Sequence, residues 1–530
     1  MSLPSLSSTF QYLSKRAQAS FKDLPAPVVA ISTALTVSFL AWRLVGQTKS
    51  KPANAPPVVP HYIPYFGHGI QMHMDPAKFI AECREKYGDV FEIYSFGQAL
   101  VVVTGKKIVE CFRAGEETLS FQEGVEDLLP VRHLTEISYD KIHQQVGPEF
   151  PMEKNPIIKA LRNNFKSHQI SIYHDRMIDA VERCLSKDLT FKPGENATEI
   201  NASVVFQKMI ARISSQVFAG EEYAENEALI DALANYALTM FRAGLVESVL
   251  PRPMADYLVR NYLPLGQNIG TTVDEVLPMV EELKEKEERE GRSQPTHFMH
   301  MMLQTPGADD HIQTPEEVAF WMKDIAFASI HTTSLFLGFA LHDLSDRPDV
   351  QEILRKEVAD ARAKHGVLTP DITKDLPIMD SFFREVLRLG SDYVGFRHKA
   401  MKDFVLSDGT LLSKGSTVGL AVWDAHANPE IQDIGDNNVP LNQVDPYRFV
   451  GKRSKKSTSV GQDLLTFGVG HHACPGRFFA SQEIRYLLAC MIERYDIKAT
   501  TTSGKRAKNL LALGMVQLVP NQPLILTKRT

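Results

Sequence analysis

Hydrophobic and polar positions change rhythm several times along this chain. Leu24 to Trp42 carries no charge, its core reading PVVAISTALTVSFLAW between Lys22 and Arg43. That is about the length that can just cross a bilayer. The run is long for the apolar part of a signal sequence, and no clear small-x-small cleavage site or cysteine-rich mature body comes after it. A transmembrane anchor is therefore expected over 24–45, after an N-terminal segment 1–23. Basic residues flank it on both sides, so charge assigns no orientation. Next comes GQTKSKPANAPPVVPHYIPYFG, where Pro52, Pro56, Pro57, Pro60 and Pro64 favour extended backbone. It reads as a stiff hinge over 46–66.

From about Asp75 the period becomes helical, as in DPAKFIAECREKYG, with short strands in VFEIYSFGQALVVVTG near residues 90–105. No internal repeat or low-complexity tract divides the body, so 67–530 reads as one domain, mainly α with small β-sheets. One helix dominates. Thr314-Pro315-Glu316-Glu317 is a capping box with proline at the first helical position. VAFWMKDIAFASIHTTSLFLGFALHDLSD then runs to Pro348, roughly 45 Å of helix, apolar nearly all round and so expected at the centre of the fold. Its middle, Ser329-Ile330-His331-Thr332-Thr333-Ser334, is polar. Hydroxyls in a helix often bond back to the preceding turn, which suffices for Thr333 and Ser334. His331 beside Thr332 costs more to bury and points to a polar cavity or ligand there. Further on, MDSFFREVLRLGS carries Glu385 and Arg388 at i and i+3, by itself an ordinary surface ion pair.

The 530 residues, 44% hydrophobic and 23% charged, supply a large core. With 58 basic against 64 acidic residues and no dense basic run, nucleic acid is a poor partner and a lipophilic ligand a better one. Cys83, Cys111, Cys184, Cys474 and Cys490 are sparse, odd in number and without a CxxC pair. They argue for a reducing compartment. Asn196-Ala-Thr and Asn201-Ala-Ser match glycosylation sequons, which would be idle on a cytosolic body.

Cys474 lies in FGVGHHACPGR, residues 467–477. As a zinc ligand it lacks partners at chelate spacing, since His471 and His472 crowd within three residues of it. As a nucleophile it has His472 near but no surrounding signature. A merely structural cysteine does not need Gly468, Gly470 and Gly476. The role of axial ligand to haem iron gains support from the next segment of chain. Ile484, Leu487, Leu488, Met491 and Ile492 mark a buried helix that starts just after the loop. Its free amides would hold an anionic sulfur, and the glycines let the loop pass under a flat macrocycle.

FGVGHHACPGR resembles the haem-binding signature of the cytochrome P450 family, F-G-x-G-x-[RH]-x-C-x-G, at Phe467, Gly468, Gly470, His472, Cys474 and Gly476. E-x-x-R (Glu385, Arg388) and P-x-R-F (Pro446, Arg448, Phe449) lie upstream in the family's order. With anchor and hinge, the likeness covers essentially the whole chain and is greatest to fungal microsomal members of specialised metabolism. It implies the P450 fold and haem b, with Cys474 as axial thiolate. It implies that His472 and Arg397 partner the haem propionates and that Glu385, Arg388 and Arg448 form a structural triad. Thr332 matches the family's threonine, which orders water and delivers protons. Two departures stand out. His331 replaces the usual acid before that threonine, and as a group titrating near neutrality it is a candidate proton relay. The frequent W-x-x-x-R motif finds no tryptophan, since the three are Trp42, Trp321 and Trp423.

The function implied is oxidation of a lipophilic small molecule by a monooxygenase, the substrate being a terpenoid, sterol or polyketide intermediate of fungal secondary metabolism. Oxygen would be O2 and electrons would come from NADPH through a P450 reductase. The expected location is the endoplasmic reticulum membrane, single-pass, with a cytosolic catalytic domain. One alternative is a haem-thiolate isomerase or dehydratase that uses no NADPH, a group that tends to lose the threonine. Another is a non-catalytic haem-binding protein, against which Thr332 and its titratable neighbour argue.

Overall fold

The structure, a computed structural model, describes residues 51–529 apart from 64, 140–154, 166–170, 296, 308–309, 369–371, 433–436 and 452–454. The expected anchor at 24–45 lies outside these residues. The end of the proline-rich stretch is bonded to the body. Val59 N–H donates to Glu92 O (2.9 Å), Glu92 N–H to Pro57 O (2.8 Å) and Leu411 N–H to Asn54 O (2.8 Å).

Alternating apolar residues make the hairpin β1 (Val90–Ser95) and β2 (Gln98–Val103), paired from Val90↔Val103 to Ser95↔Gln98. β2 continues into a mixed five-stranded sheet with β3 (Leu119–Ser120), β5 (Gly395–Ala400) and β6 (Thr417–Leu420), in the order β1-β2-β6-β5-β3. Only β2 and β6 run parallel. A second sheet orders β4 (Ala197–Ile200), β8 (Leu524–Lys528) and β7 (Tyr495–Ala499), so the C-terminus is held by antiparallel pairing.

Helices make up the rest. α1 (Phe121–Leu128) packs on the sheet, whereas α2 (Val131–Ser138) and α3 (Pro156–Asn164) pack on other helices. The helical core holds α4 (Ala202–Phe218), α5 (Glu227–Val249), α6 (Arg252–Tyr262), α7 (Leu265–Glu290), α8 (Pro315–Leu344), α9 (Pro377–Leu389) and α10 (Arg477–Arg494). The capping box of α8 forms as its sequence predicts: Thr314 Oγ1 accepts Glu317 N–H at 3.3 Å, and Glu317 Oε2 accepts Thr314 N–H at 2.7 Å. α4, α5, α7 and α10 pack around α8. Of the sequons, Asn201 is the N-cap of α4, its amide oxygen accepting Val204 N–H at 3.3 Å. α5 and α8 are long and apolar enough to cross a bilayer, yet most of their surface is buried within the fold, as befits core helices.

Candidate active site

α8 is buried towards both ends, but Ala328 and Thr332 in its middle are exposed. Residues at i and i+4 share one face of a helix, so the central rod presents one bare stripe there. Thr332 Oγ1–H donates to Ala328 O at 2.7 Å, which leaves the oxygen's lone pairs for the open side. Ser334 bonds back to His331 O at 3.0 Å, as its sequence context suggests. Thr333 does not: its hydroxyl is buried without a hydrogen-bond partner among the described residues. His331 is half-buried against α5, its ring 5.0 Å from that of Phe241, and burial lowers its pKa.

The cysteine loop is shaped by its glycines. Gly468 and Gly470 have φ of +66° and +65°, and a Cβ on Gly468 would meet His472 O at 2.7 Å. Only glycine holds that left-handed turn so close to backbone without strain. Gly476 is different, since a Cβ there would meet nothing within 4 Å. Phe467, half-buried against the core, supplies the carbonyl that accepts Cys474 N–H at 2.7 Å. Cys474 is the one cysteine of the five that is not fully buried. Burial pushes its thiol pKa up, while the backbone N–H of Gly476, the Arg477 charge and the Arg477 N–H pull it down. Those amides begin α10, the arrangement expected from the helix after the loop.

Below the loop the ion network is buried completely. Glu385 Oε1 accepts Arg388 Nε at 2.6 Å, and its Oε2 accepts Arg448 Nε at 3.0 Å and Asp445 N–H at 3.1 Å. All three side chains are fully buried. Arg388 also donates to His426 O (2.7 Å) and Leu441 O (2.6 Å), and His426 Nε2 accepts Leu465 N–H at 2.8 Å. Through His426 the triad thus fixes the strand of chain that leads into the cysteine loop. The surface ion pair that E-x-x-R suggests in isolation is here a buried hub.

Cationic groups gather on the other side. Gly124 of α1 lies on the Arg397 backbone, where a Cβ would come within 2.2 Å of Arg397 O. Burial lowers the Arg397 pKa, Asp127 opposes the shift, and the one hydrogen bond of the guanidinium among the described residues is to Met515 Sδ at 3.5 Å. His472 is turned toward Glu116, with Nδ1 3.6 Å from that carboxylate, and the Ala114 backbone also bears on its ring. Its pKa is lowered by burial and by His471. Sequence reading assigns no arginine from an early helix, but Arg162 of α3 reaches the loop and donates to His471 O at 2.9 Å. Its sequence signal is Ile158-x-x-x-Arg162, a W-x-x-x-R motif without its tryptophan.

Beside Arg397 opens a 600 Å³ cavity whose wall mixes apolar residues such as Phe66, Phe96, Leu128, Leu245 and Met515 with Ser95, Gln98, Glu126, Asp127, Glu247, Ser248, Arg252 and Arg397. Tyr65, Phe96 and Leu513 on its wall hold φ of +60°, +49° and +53°. Left-handed backbone at bulky residues costs energy and clusters where shape serves a ligand.

Tested against haem, these residues fit. A partly exposed cysteine at the start of a helix, open space over Gly476, a bare helix face and the under-paired Arg397 guanidinium match a flat dianionic macrocycle held by sulfur. The family model of cytochrome P450 matches residues 56–526, and the chain belongs to that family. It is a haem-thiolate monooxygenase, an oxidoreductase that receives NADPH electrons through a reductase. The chain is similar to cytochrome P450 monooxygenase BOA4 of Botryotinia fuckeliana, 28% identical over 72% of this chain and 80% of that protein. It is similar also to cytochrome P450 monooxygenase 151 of Postia placenta, 24% identical over 91% and 95%. Cytochrome P450 monooxygenase paxP of Penicillium paxilli is 29% identical over 62% and 65%.

Proposed function

We propose that this monooxygenase oxidises a lipophilic intermediate of fungal secondary metabolism, a terpenoid, sterol or polyketide, from an endoplasmic reticulum anchor at 24–45. The observation that carries the oxidative reading is the bare Ala328–Thr332 stripe on an otherwise buried helix. Cys474 would hold the haem iron, and Arg397, Arg162 and His472 would face its propionates. Bound haem supplies oxygen activation and the electron relay from the reductase.

The remaining work belongs to the chain. Amides of Gly476 and Arg477 favour negative charge on Cys474 Sγ against the burial that raises its pKa, and that charge would be complete with iron bound. Thr332 Oγ1, anchored on Ala328 O, orders water and passes a proton at that oxygen. His331, kept neutral by burial, can accept a proton at one ring nitrogen and donate from the other. The apolar part of the cavity wall, Phe66, Phe96, Leu128, Leu245 and Met515 among it, favours a lipophilic substrate.

Substrate-dependent NADPH consumption in the presence of a P450 reductase tests the reading against the isomerase and the non-catalytic alternatives. Product formed without NADPH supports the isomerase, and haem binding without turnover supports the carrier. A His331→Ala enzyme with an unchanged pH–rate profile removes that histidine from the relay. The metabolite that accumulates when the protein is lost identifies the substrate class.

A further inference from the structure

Away from the cysteine loop, three ligand-type side chains from three helices meet at one point. His133 comes from α2, Glu247 from α5 and Asp256 from α6, and one donor atom of each lies within 4.8 Å of the others. His133 Nε2 is 2.7 Å from Asp256 Oδ1 and 3.7 Å from Glu247 Oε1. The Glu247 side chain is only 9% exposed, and its Oε1 has no hydrogen-bond partner among the described residues. Its carboxyl is hydrogen-bonded to Asp256, and burial together with Asp256 raises its pKa, so that a shared proton fills the place a cation would take. Of the cluster, Glu247 lines the 600 Å³ cavity, as do Arg252 and Pro130 before α2, so the cluster borders that wall.

The demands at His133 Nε2 conflict. Asp256 at 2.7 Å calls for a donated proton, whereas Arg252 Nε–H, 3.4 Å away, calls for a lone pair on the same nitrogen. A ring nitrogen meets one demand or the other, not both. Two adjacent carboxylates, one of them nearly buried, also repel unless a proton or a cation lies between them. A divalent cation resolves both conflicts: Nε2 gives its lone pair and each carboxylate gives one oxygen. Donor atoms around a tetrahedral zinc stand about 3.3 Å apart for bonds near 2 Å, and the distances of 2.7 and 3.7 Å bracket that value. Imidazole with two carboxylates suits zinc and its first-row neighbours better than calcium or magnesium.

We propose that His133, Glu247 and Asp256 bind a divalent transition-metal ion of the zinc type, which staples α2 to the α5–α6 corner and stiffens the cavity wall. The ion is separate from the haem iron and takes no part in electron transfer. Arg252, which faces the cluster, turns outward when the ion binds. Arg132, the next basic neighbour on α2, is engaged by Glu123 and Glu126 and is unaffected.

The test uses the haem-loaded full-length protein, stripped with a chelator, dialysed against micromolar zinc and assayed for metal by mass spectrometry. The expected result is one zinc per chain besides iron, with a higher unfolding temperature. His133→Ala should weaken zinc binding by at least ~100-fold and abolish the temperature gain while leaving haem content unchanged. Asp256→Asn, which preserves side-chain shape, should do the same and serves if His133→Ala fails to fold. Wild-type protein that takes up no zinc overturns the proposal, as does either variant retaining zinc at wild-type affinity.

Discussion

Removing one partner from a buried ion network strands a charge that water cannot reach, and that dictates what Glu385 is worth. Exposed, an E-x-x-R pair contributes under about 1 kcal/mol; with Glu385, Arg388 and Arg448 all fully buried, breaking it costs about 3–5 kcal/mol. Glu385→Gln should therefore lower the denaturant midpoint by a corresponding amount and reduce haem retention, measured by urea titration followed at the Soret band. Thr332 is the opposite case, a residue dispensable to the fold. Thr332→Ala loses one bond to Ala328 O and should fold normally, yet divert NADPH from product to peroxide by roughly tenfold or more. Coupling measured as product per NADPH checks it, and unchanged coupling removes Thr332 from the mechanism. At this scale the sequence is informative where chemistry needs a special residue, as with Cys474 and Thr332. It is silent where the partner is a backbone atom, as for Arg388 on His426 O and Leu441 O, or where a motif has lost its marker, as for Arg162.

Among the elements, the cysteine loop and α8 carry the site. Gly468→Ala forces a side chain into positive φ against His472 O and should cost about 1–3 kcal/mol, seen as faster loss of haem on mild heating. Gly476→Ala meets no such obstacle in the protein and should disturb the cofactor side alone. The start of α8, its length and its polar centre are legible because caps and period are local signals. That Ala328 joins Thr332 in the bare stripe is not, since alanine carries no mark of exposure. The proline-rich stretch reads as extended, but its pairing with Glu92 depends on a strand some 30 residues away, which no local pattern encodes.

Across the whole molecule, buried titratable groups set the pH range of stability. His297, His342 and His398 are pushed down to about 4 by burial, so the folded state keeps them neutral. The unfolded chain binds their protons from about pH 6.5 downward, so stability present above 6.5 is lost as pH falls towards 4. His342 has both ring nitrogens buried and unpartnered among the described residues, and His342→Phe should flatten the acid limb of unfolding temperature against pH. A variant as acid-sensitive as wild type would contradict that assignment. Glu483, pushed up to about 8 by burial, works in the other direction: its protonated form is favoured in the fold, and its contribution is lost as pH rises from about 4.5 to 8. The body's mainly helical character with small sheets is legible from composition and period. The cavity is not, because its walls come from six segments far apart in sequence, from Tyr65 to Met515.

In the proposed function every step depends on Cys474 as the sulfur that would hold iron. The most direct test is the carbon monoxide difference spectrum of the reduced, haem-loaded protein, with Cys474→Ser as control. Thiolate ligation by Cys474 predicts the long-wavelength Soret band in the wild type and its loss in the variant. A haem-loaded wild type without that band, or a variant that keeps it, would contradict the assignment.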